Sequence, residues 1–301
     1  MTPNSSLCVL LCSHNRRDKT LACLAALQAS TGLAGTTLSA VLVDDGSSDG
    51  TAQAVALAHP WVSVLHGDGS LYWCRAMHLA FAHAMRESHD HYLWLNDDTL
   101  LHPNAVARLL GTAQERSAAT GRAVIVVGSS VDPQSSALTY GGRAAAPPWR
   151  PTAWPLLAPS ETAQAITTMD GNVVLLSDAA AALTGNLDAA FQHAMGDQDY
   201  GLRAAAQGVG LWLAPGVHAT CSDNPRQGGF TDLTLGLRQR FLQMLAPTGL
   251  PWRSWWRFTR RHTGLLWPVY FAWPYVRVAM GLRPLRTATQ RGSTQRASTE
   301  R

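Results

Sequence analysis

Short apolar runs alternate with helix-period segments across the first 130 residues, and this alternation most narrows the folds open to the chain. Leu7 to Cys12, Leu38 to Val43, Val62 to His66, Tyr92 to Leu95 and Val124 to Gly128 each read as a strand. Between them, Asp18 to Gln28, Asp49 to Ala58, Met77 to Met85 and Pro103 to Gly111 read as helices, the first with Leu21, Leu24 and Leu27 on one face. Such regular alternation predicts an α/β class: a Rossmann-like, mostly parallel sheet flanked by helices. The Ser47-Ser48-Asp49 cluster is expected to cap the second helix and Pro103 to sit in the first turn of the fourth.

From Pro133 to Pro159 the periodicity breaks into Gly, Pro and Trp, which reads as a long loop of the kind that covers sites. Asp170-Gly171-Asn172 then precedes an apolar strand, Val173 to Leu176, and a helix from Ala179 to Leu183. A further helix is expected to begin at about Asp199, and Leu211 to Ala214 reads as a returning strand. The chain divides by pattern into a catalytic-looking body (residues 1–237), a helical extension (238–286) and a disordered tail (287–301).

Charge follows the same division. Residues 238–301 hold 12 arginines, no lysine and one acid, whereas the first 237 residues carry 12 basic and 19 acidic side chains. A chain basic at only one end argues against nucleic acid as the partner of the whole. In the extension, Trp252, Trp255, Trp256, Trp267 and Trp273 interleave with Arg253, Arg257, Arg260, Arg261 and Arg277. Its uncharged run, Thr263 to Val276, is shorter than the roughly 20 residues needed to span a bilayer. Arginine mixed with aromatics favours the inner membrane surface; docking on the body or on a second copy is the alternative. Five cysteines without metal-ligand spacing read as buried free thiols in a reducing compartment. Leu7 to Cys12 is too short for a signal segment, so a cytoplasmic chain is expected.

Acids cluster where strands end. Asp44-Asp45 closes the second strand, and Asn96-Asp97-Asp98 follows the fourth. Ligand crevices of open α/β sheets lie at such strand ends. Carboxylates there suit a hard divalent cation, Mn2+ or Mg2+, whose other ligands are phosphate oxygens. Together these features point to a nucleotide-diphosphate site.

Four motifs in order make the resemblance specific: Val9-Leu10-Leu11-Cys12-Ser13-His14-Asn15-Arg16, Val43-Asp44-Asp45-Gly46-Ser47, Asn96-Asp97-Asp98, and Gly196-Asp197-Gln198-Asp199-Tyr200-Gly201-Leu202-Arg203. Over about residues 7–220 the chain resembles family-two glycosyltransferases, and among them rhamnosyltransferase-like bacterial members. The resemblance implies a GT-A fold, a nucleotide-diphosphate sugar donor, a divalent metal and inversion at the anomeric carbon. It implies Ser13, Asn15, Arg16, Asp44, Asp45, Gly69, Trp73, Asn96 and Asp97 beside the nucleotide, with Asp45 first and then Asp44 accepting hydrogen bonds from base or ribose. Asp98, then Asp97, would hold the metal, with His218 as a third ligand or simply a polar residue near a sheet end. Asp197 would be the general base, a helix N-cap being its plain alternative. The family usually has Glu-Asp at this point; here it is Gly196-Asp197. Tyr140 to Arg143 could meet substrate, and Trp149 and Trp154 could stack on a sugar or pack in the core.

The function expected is transfer of a sugar to a glycan or lipid-linked acceptor in cell-surface polysaccharide synthesis, with no nucleic-acid partner. A non-catalytic nucleotide-sugar-binding module and a metal-dependent phosphatase are the alternatives. An aspartyl-nucleophile phosphatase would place Asp-x-Asp after the first strand, where this chain has Ser13-His14-Asn15.

Overall fold

The computed structural model describes residues 5–223 and 228–282; the tail at 287–301 lies outside them. The expected alternation is present as β1 (Ser5–Ser13), α1 (Arg17–Gln28), β2 (Thr36–Asp44), α2 (Thr51–Ala58), β3 (Val62–His66), α3 (Tyr72–Ala84) and β4 (His91–Leu95). Then come β5 (Leu100–Leu101), α4 (Ala105–Thr120) and β6 (Val124–Val131). Residues 133–159, anticipated as loop, supply two short strands, β7 (Leu138–Tyr140) and β8 (Gly142–Arg143), and two more follow, β9 (Gln164–Ala165) and β10 (Thr168–Met169). The body closes with β11 (Val173–Ser177), α5 (Asp178–Thr184), α6 (Gly196–Ala206) and β12 (Gly210–Thr220). The extension contributes α7 (Leu237–Leu245), α8 (Trp252–His262) and α9 (Trp267–Ala279).

Helix starts differ from expectation for local reasons. α2 begins after Gly50 in a left-handed conformation, and Asp49 reaches past it to accept from the Thr51 amide at 3.0 Å. Pro103 lies ahead of Asn104, the residue that caps α4, so it precedes that helix rather than opening it. α3 starts at Tyr72 and α6 at Gly196, earlier than periodicity suggested, because their first turns face the site and carry polar residues.

The main sheet runs β3-β2-β1-β4-β11-β6-β12-β5, with β7 on β6 and β9 on β12. β1 is parallel to both β2 and β4, whereas β11 is antiparallel to its neighbours β4 and β6. Alternate residues of the central strands enter opposite cores. Leu7, Val9 and Leu11 pack with α1, α2 and α4, while Cys8 and Leu10 face α3, α6 and α8. Strands buried on both faces therefore read as unbroken apolar runs.

This topology builds one polar edge. Ser13 pairs with Asp44 at the carboxyl ends of β1 and β2, and Leu95 at the end of β4 pairs with Val173 at the start of β11. Residues following β1, β2 and β4 therefore meet those preceding β11. The extension is packed on the body: Trp255 and Phe258 of α8 are buried in the same core as Phe191 and Tyr200. Burial of Phe258 alone contributes about 2–3 kcal/mol.

Candidate active site

A cavity of about 500 Å³ opens at this edge, lined by Ser13, Arg16, Asp45, Trp73, Asn96, Asp97, Asp98 and Asp197 among others. Carboxylates expected together from separate stretches of sequence do converge. Asp44, Asn15, Gly69 and His218, in contrast, lie off its wall.

Asp97 and Asp98 follow β4, where the Asn96 amide donates to the Asn172 carbonyl at 3.1 Å and ties the turn to β11. One guanidinium nitrogen of Arg16 bridges the pair, 3.1 Å from Asp97 and 2.9 Å from Asp98. The second Asp97 oxygen, Oδ2, is buried without a hydrogen-bond partner. Burial pushes the Asp97 carboxyl above its ordinary range, against the pull of Arg16. An orphaned, hard oxygen beside a second carboxylate fits a divalent cation that takes its remaining ligands from phosphate and water. Among the described residues, no group of three or more His, Cys, Asp or Glu side chains is disposed to hold a metal. His218, expected as a third ligand, is fully buried behind Gly128 with both ring nitrogens unpartnered. Burial drives its pKa down to about 3, so its ring is neutral. Strand β12 continues to Thr220, well beyond Ala214, and carries His218 into the sheet rather than to its rim.

Asp45, on the cavity wall, also anchors a turn. Its carboxylate accepts from the backbone amides of Gly69 at 2.9 Å and of Leu71 and Tyr72 at 3.0 Å each. An ionised carboxylate offers about four acceptor sites, so most of its capacity is spent fixing the Gly69–Tyr72 turn. Asp44 accepts from the Ser47 amide, and Asn15 accepts from the Ser48 amide and hydroxyl, so both hold loops around the site. The Ser13 hydroxyl is shared with Thr20 at 2.8 Å.

Asp197 stands in the first turn of α6, where its oxygens accept from the Gly171 amide at 3.0 Å and the Gln198 amide at 2.8 Å. Burial, reinforced by nearby Asp170, raises its carboxyl to about 6. Asp170 is itself held by Arg143 at 2.6 Å. Gly171 is required here because a side chain would collide with the Trp73 ring and press on Asp197. Trp73 in turn donates its indole N–H to Asn96 at 2.8 Å. Gly196, standing where the family usually has glutamate, has Cys74 packed against it, and that thiol fills the space of a side chain.

Sequence reasoning missed several lining residues: His193, Met195 and, from the extension, Thr248. Tyr72 and Met195 have φ of 56° and 72°, conformations rare outside glycine. Strain of this kind concentrates at functional sites. Burial, with Arg16 nearby, lowers the His193 pKa. Of the aromatic candidates, Trp154 is buried against Phe258 and Trp149 is exposed, and neither lines the cavity.

Residues 8–161 match the family described as Glycosyl transferase family 2, just over half of the chain. The chain belongs to glycosyl transferase family 2. The match ends before Asp170 and Asp197, so it includes the cavity residues from Cys12 to Tyr140 and not the carboxylate on α6. No curated protein matches the chain. In fold, the chain is similar to the crystal structure of S. aureus TarS, with a TM-score of 0.53 at 12% identity over 85% of this chain and 42% of that one. It is also similar to S. aureus TarS 1-349 in complex with UDP, with a TM-score of 0.53 at 12% identity over 80% of this chain and 65% of that one. The chain thus spans less than two thirds of either structure's length. These likenesses support the GT-A-like, mostly parallel architecture anticipated from the sequence.

Proposed function

We propose that this family member transfers a hexose, with inversion, from a nucleotide-diphosphate donor to a hydroxyl of a glycan or lipid-linked acceptor in cell-surface polysaccharide synthesis. The observation that carries the reading is Asp197, a carboxyl raised to about 6 in the same cavity as the Asp97–Asp98–Arg16 cluster. Inverting transfer needs one base and no protein nucleophile: the acceptor oxygen attacks the anomeric carbon from the face opposite the diphosphate as its proton passes to the carboxylate. A pKa near 6 leaves Asp197 mostly ionised at neutral pH, yet more basic than an ordinary aspartate. Its hydrogen bonds from Gly171 and Gln198 fix its direction before substrate arrives.

Asp98 and Asp97 would hold a Mn2+ or Mg2+ ion, whose chemistry is to stabilise negative charge growing on the departing diphosphate. Arg16 supplies a fixed positive charge to the same region. Asp45 and Asp44 shape the nucleotide side through the loops they anchor, and Ser13 and Trp73 line it. The acceptor is met at the inner membrane surface. Support for a nucleoside-diphosphate leaving group comes from the family and from the UDP complex of TarS, to which this chain is similar in fold.

The test is incubation with a panel of nucleotide sugars and Mn2+, with release of free nucleoside diphosphate as the readout. One donor should turn over, and chelation should stop it. Nucleotide binding without turnover of any donor would favour a binding module instead.

A further inference from the structure

The extension docks on the body through α8, yet α9 leaves a second apolar face uncovered. Phe271, Tyr275 and Val278 turn toward the core. On the other side, Leu266, Val269, Trp273, Val276 and Met280 recur at spacings of three and four residues, so they form one stripe along the helix. All five are exposed: Leu266 at 60%, Val269 at 61%, Trp273 at 43%, Val276 at 42% and Met280 at 53%. Leu265, just ahead of the helix, is 98% exposed. Contiguous exposed apolar surface of this kind marks an interaction site.

The surroundings of the stripe narrow what covers it. Residues 251–282 contain five arginines and no acid. Arg253, Arg260 and Arg277 each lie over a tryptophan ring, those of Trp252, Trp256 and Trp273, at 5.1 to 5.7 Å. Arg277 over Trp273 lies on α9 itself, and Trp256, under Arg260, meets Trp267 at the start of α9, so the apolar ridge has cationic neighbours. A second copy meeting this face would oppose arginine to arginine. An anionic lipid surface offers hydrocarbon to the ridge and negative headgroups to these neighbours. No helix among the described residues is long and apolar enough to cross a membrane, so such binding would lie in the interface plane.

We infer that the outer face of α9, with Leu265 at its leading end, is a docking surface for an anionic membrane, seated parallel to the bilayer. This deepens the membrane-surface element of the proposed function by naming the face, and it is independent of the sugar chemistry. Deleting the extension would not test it, because Trp255 and Phe258 would leave the core with it.

The experiment uses the full chain and a Leu265→Ser, Leu266→Ser, Val269→Ser triple variant, whose side chains are exposed, so that its thermal melt should match wild type. Both are sedimented with vesicles of phosphatidylcholine alone and of phosphatidylcholine with 30% phosphatidylglycerol. Wild type should bind the anionic vesicles at least tenfold more tightly than neutral ones, and the triple variant should lose at least tenfold of that binding. An Arg253→Gln, Arg260→Gln variant should lose the preference for anionic lipid. Failure of wild type to bind anionic vesicles, or equal binding by the triple variant, overturns the inference. Self-association abolished by the serine substitutions, without vesicle binding, assigns the face to a second copy. Donor turnover, measured in parallel without vesicles, should be unchanged in the triple variant, so loss of membrane binding and loss of transferase chemistry are read separately.

Discussion

Replacing Asp197 with asparagine should separate stability from activity in a pH-dependent way. The carboxyl moves from 3.8 to about 6 on folding. A raised folded pKa means that the native state is favoured by this group fully below about pH 3.8, and that the contribution is lost as pH rises through about 6. Two units correspond to roughly 3 kcal/mol. The side chain is partly open to the cavity, and screening there trims the figure to about 1–2 kcal/mol. Asparagine carries no charge, so it escapes this cost. It also loses one of the two amide hydrogen bonds, a roughly pH-independent penalty of about 1 kcal/mol. The diagnostic quantity is therefore the change in the variant's melting temperature relative to wild type between pH 4.5 and pH 8. Roughly 1 kcal/mol of relative gain should appear over that interval, or about 2–4 °C in a domain of this size class. Transfer should fall by about 10²–10⁴-fold with donor affinity retained within a few-fold. A melting difference that is the same at both pH values would refute the buried-charge argument. Full activity would remove Asp197 from the reaction.

Other outcomes follow from the same geometry. Gly171→Ala should push Trp73 and Asp197 apart, lowering kcat more than donor affinity and costing about 1–3 kcal/mol by overpacking; an unchanged kcat would show that the close approach has no role in turnover. Arg16→Gln leaves Asp97 and Asp98 without their bridging cation, so Mn2+ binding measured by calorimetry should tighten several-fold while donor binding weakens. No change in Mn2+ affinity would count against this pair as the metal site. Arg261→Met removes ion pairs to both Asp188 and Asp199, and the urea midpoint should drop by an amount equivalent to about 1–3 kcal/mol. A midpoint equal to wild type would mean that Arg203, Arg257 and His262 suffice.

The sheet was legible because its central strands are buried on both faces and so appear as apolar runs of four to six residues. The short strands between Leu138 and Met169 were not, since two- and three-residue segments leave no period to detect. In the site, Asp97, Asp98 and Asp197 could be named because acids at strand ends and helix starts stand out. Asp45 was also named, but not its hold on the Gly69–Tyr72 turn, because three backbone amides converging on one carboxylate leave no mark in the sequence. His193 and Met195 lie two to four residues from Asp197, so the acidic motif could have drawn attention to them. Thr248 could not be found this way, because it reaches the cavity from the extension by tertiary packing alone.

The ties between α6 and α8 bear on how the chain is made. Asp199, two residues past the candidate base and fully buried, accepts from Arg203, Arg261 and His262, while Asp188 accepts from Arg257 and Arg261. Burial alone would raise the Asp199 carboxyl, and its hydrogen bonds from His262 and Arg203 hold it below the usual range. A ribosome delivers these acids some sixty to seventy residues ahead of the arginines and histidine of α8 that neutralise them. Until that helix emerges, Arg203 is the one of its three partners that Asp199 has, and the segment bearing Asp197 lacks its ties to α8. Premature termination anywhere before α8 should therefore give a less stable product in which the segment bearing Asp197 is more loosely held.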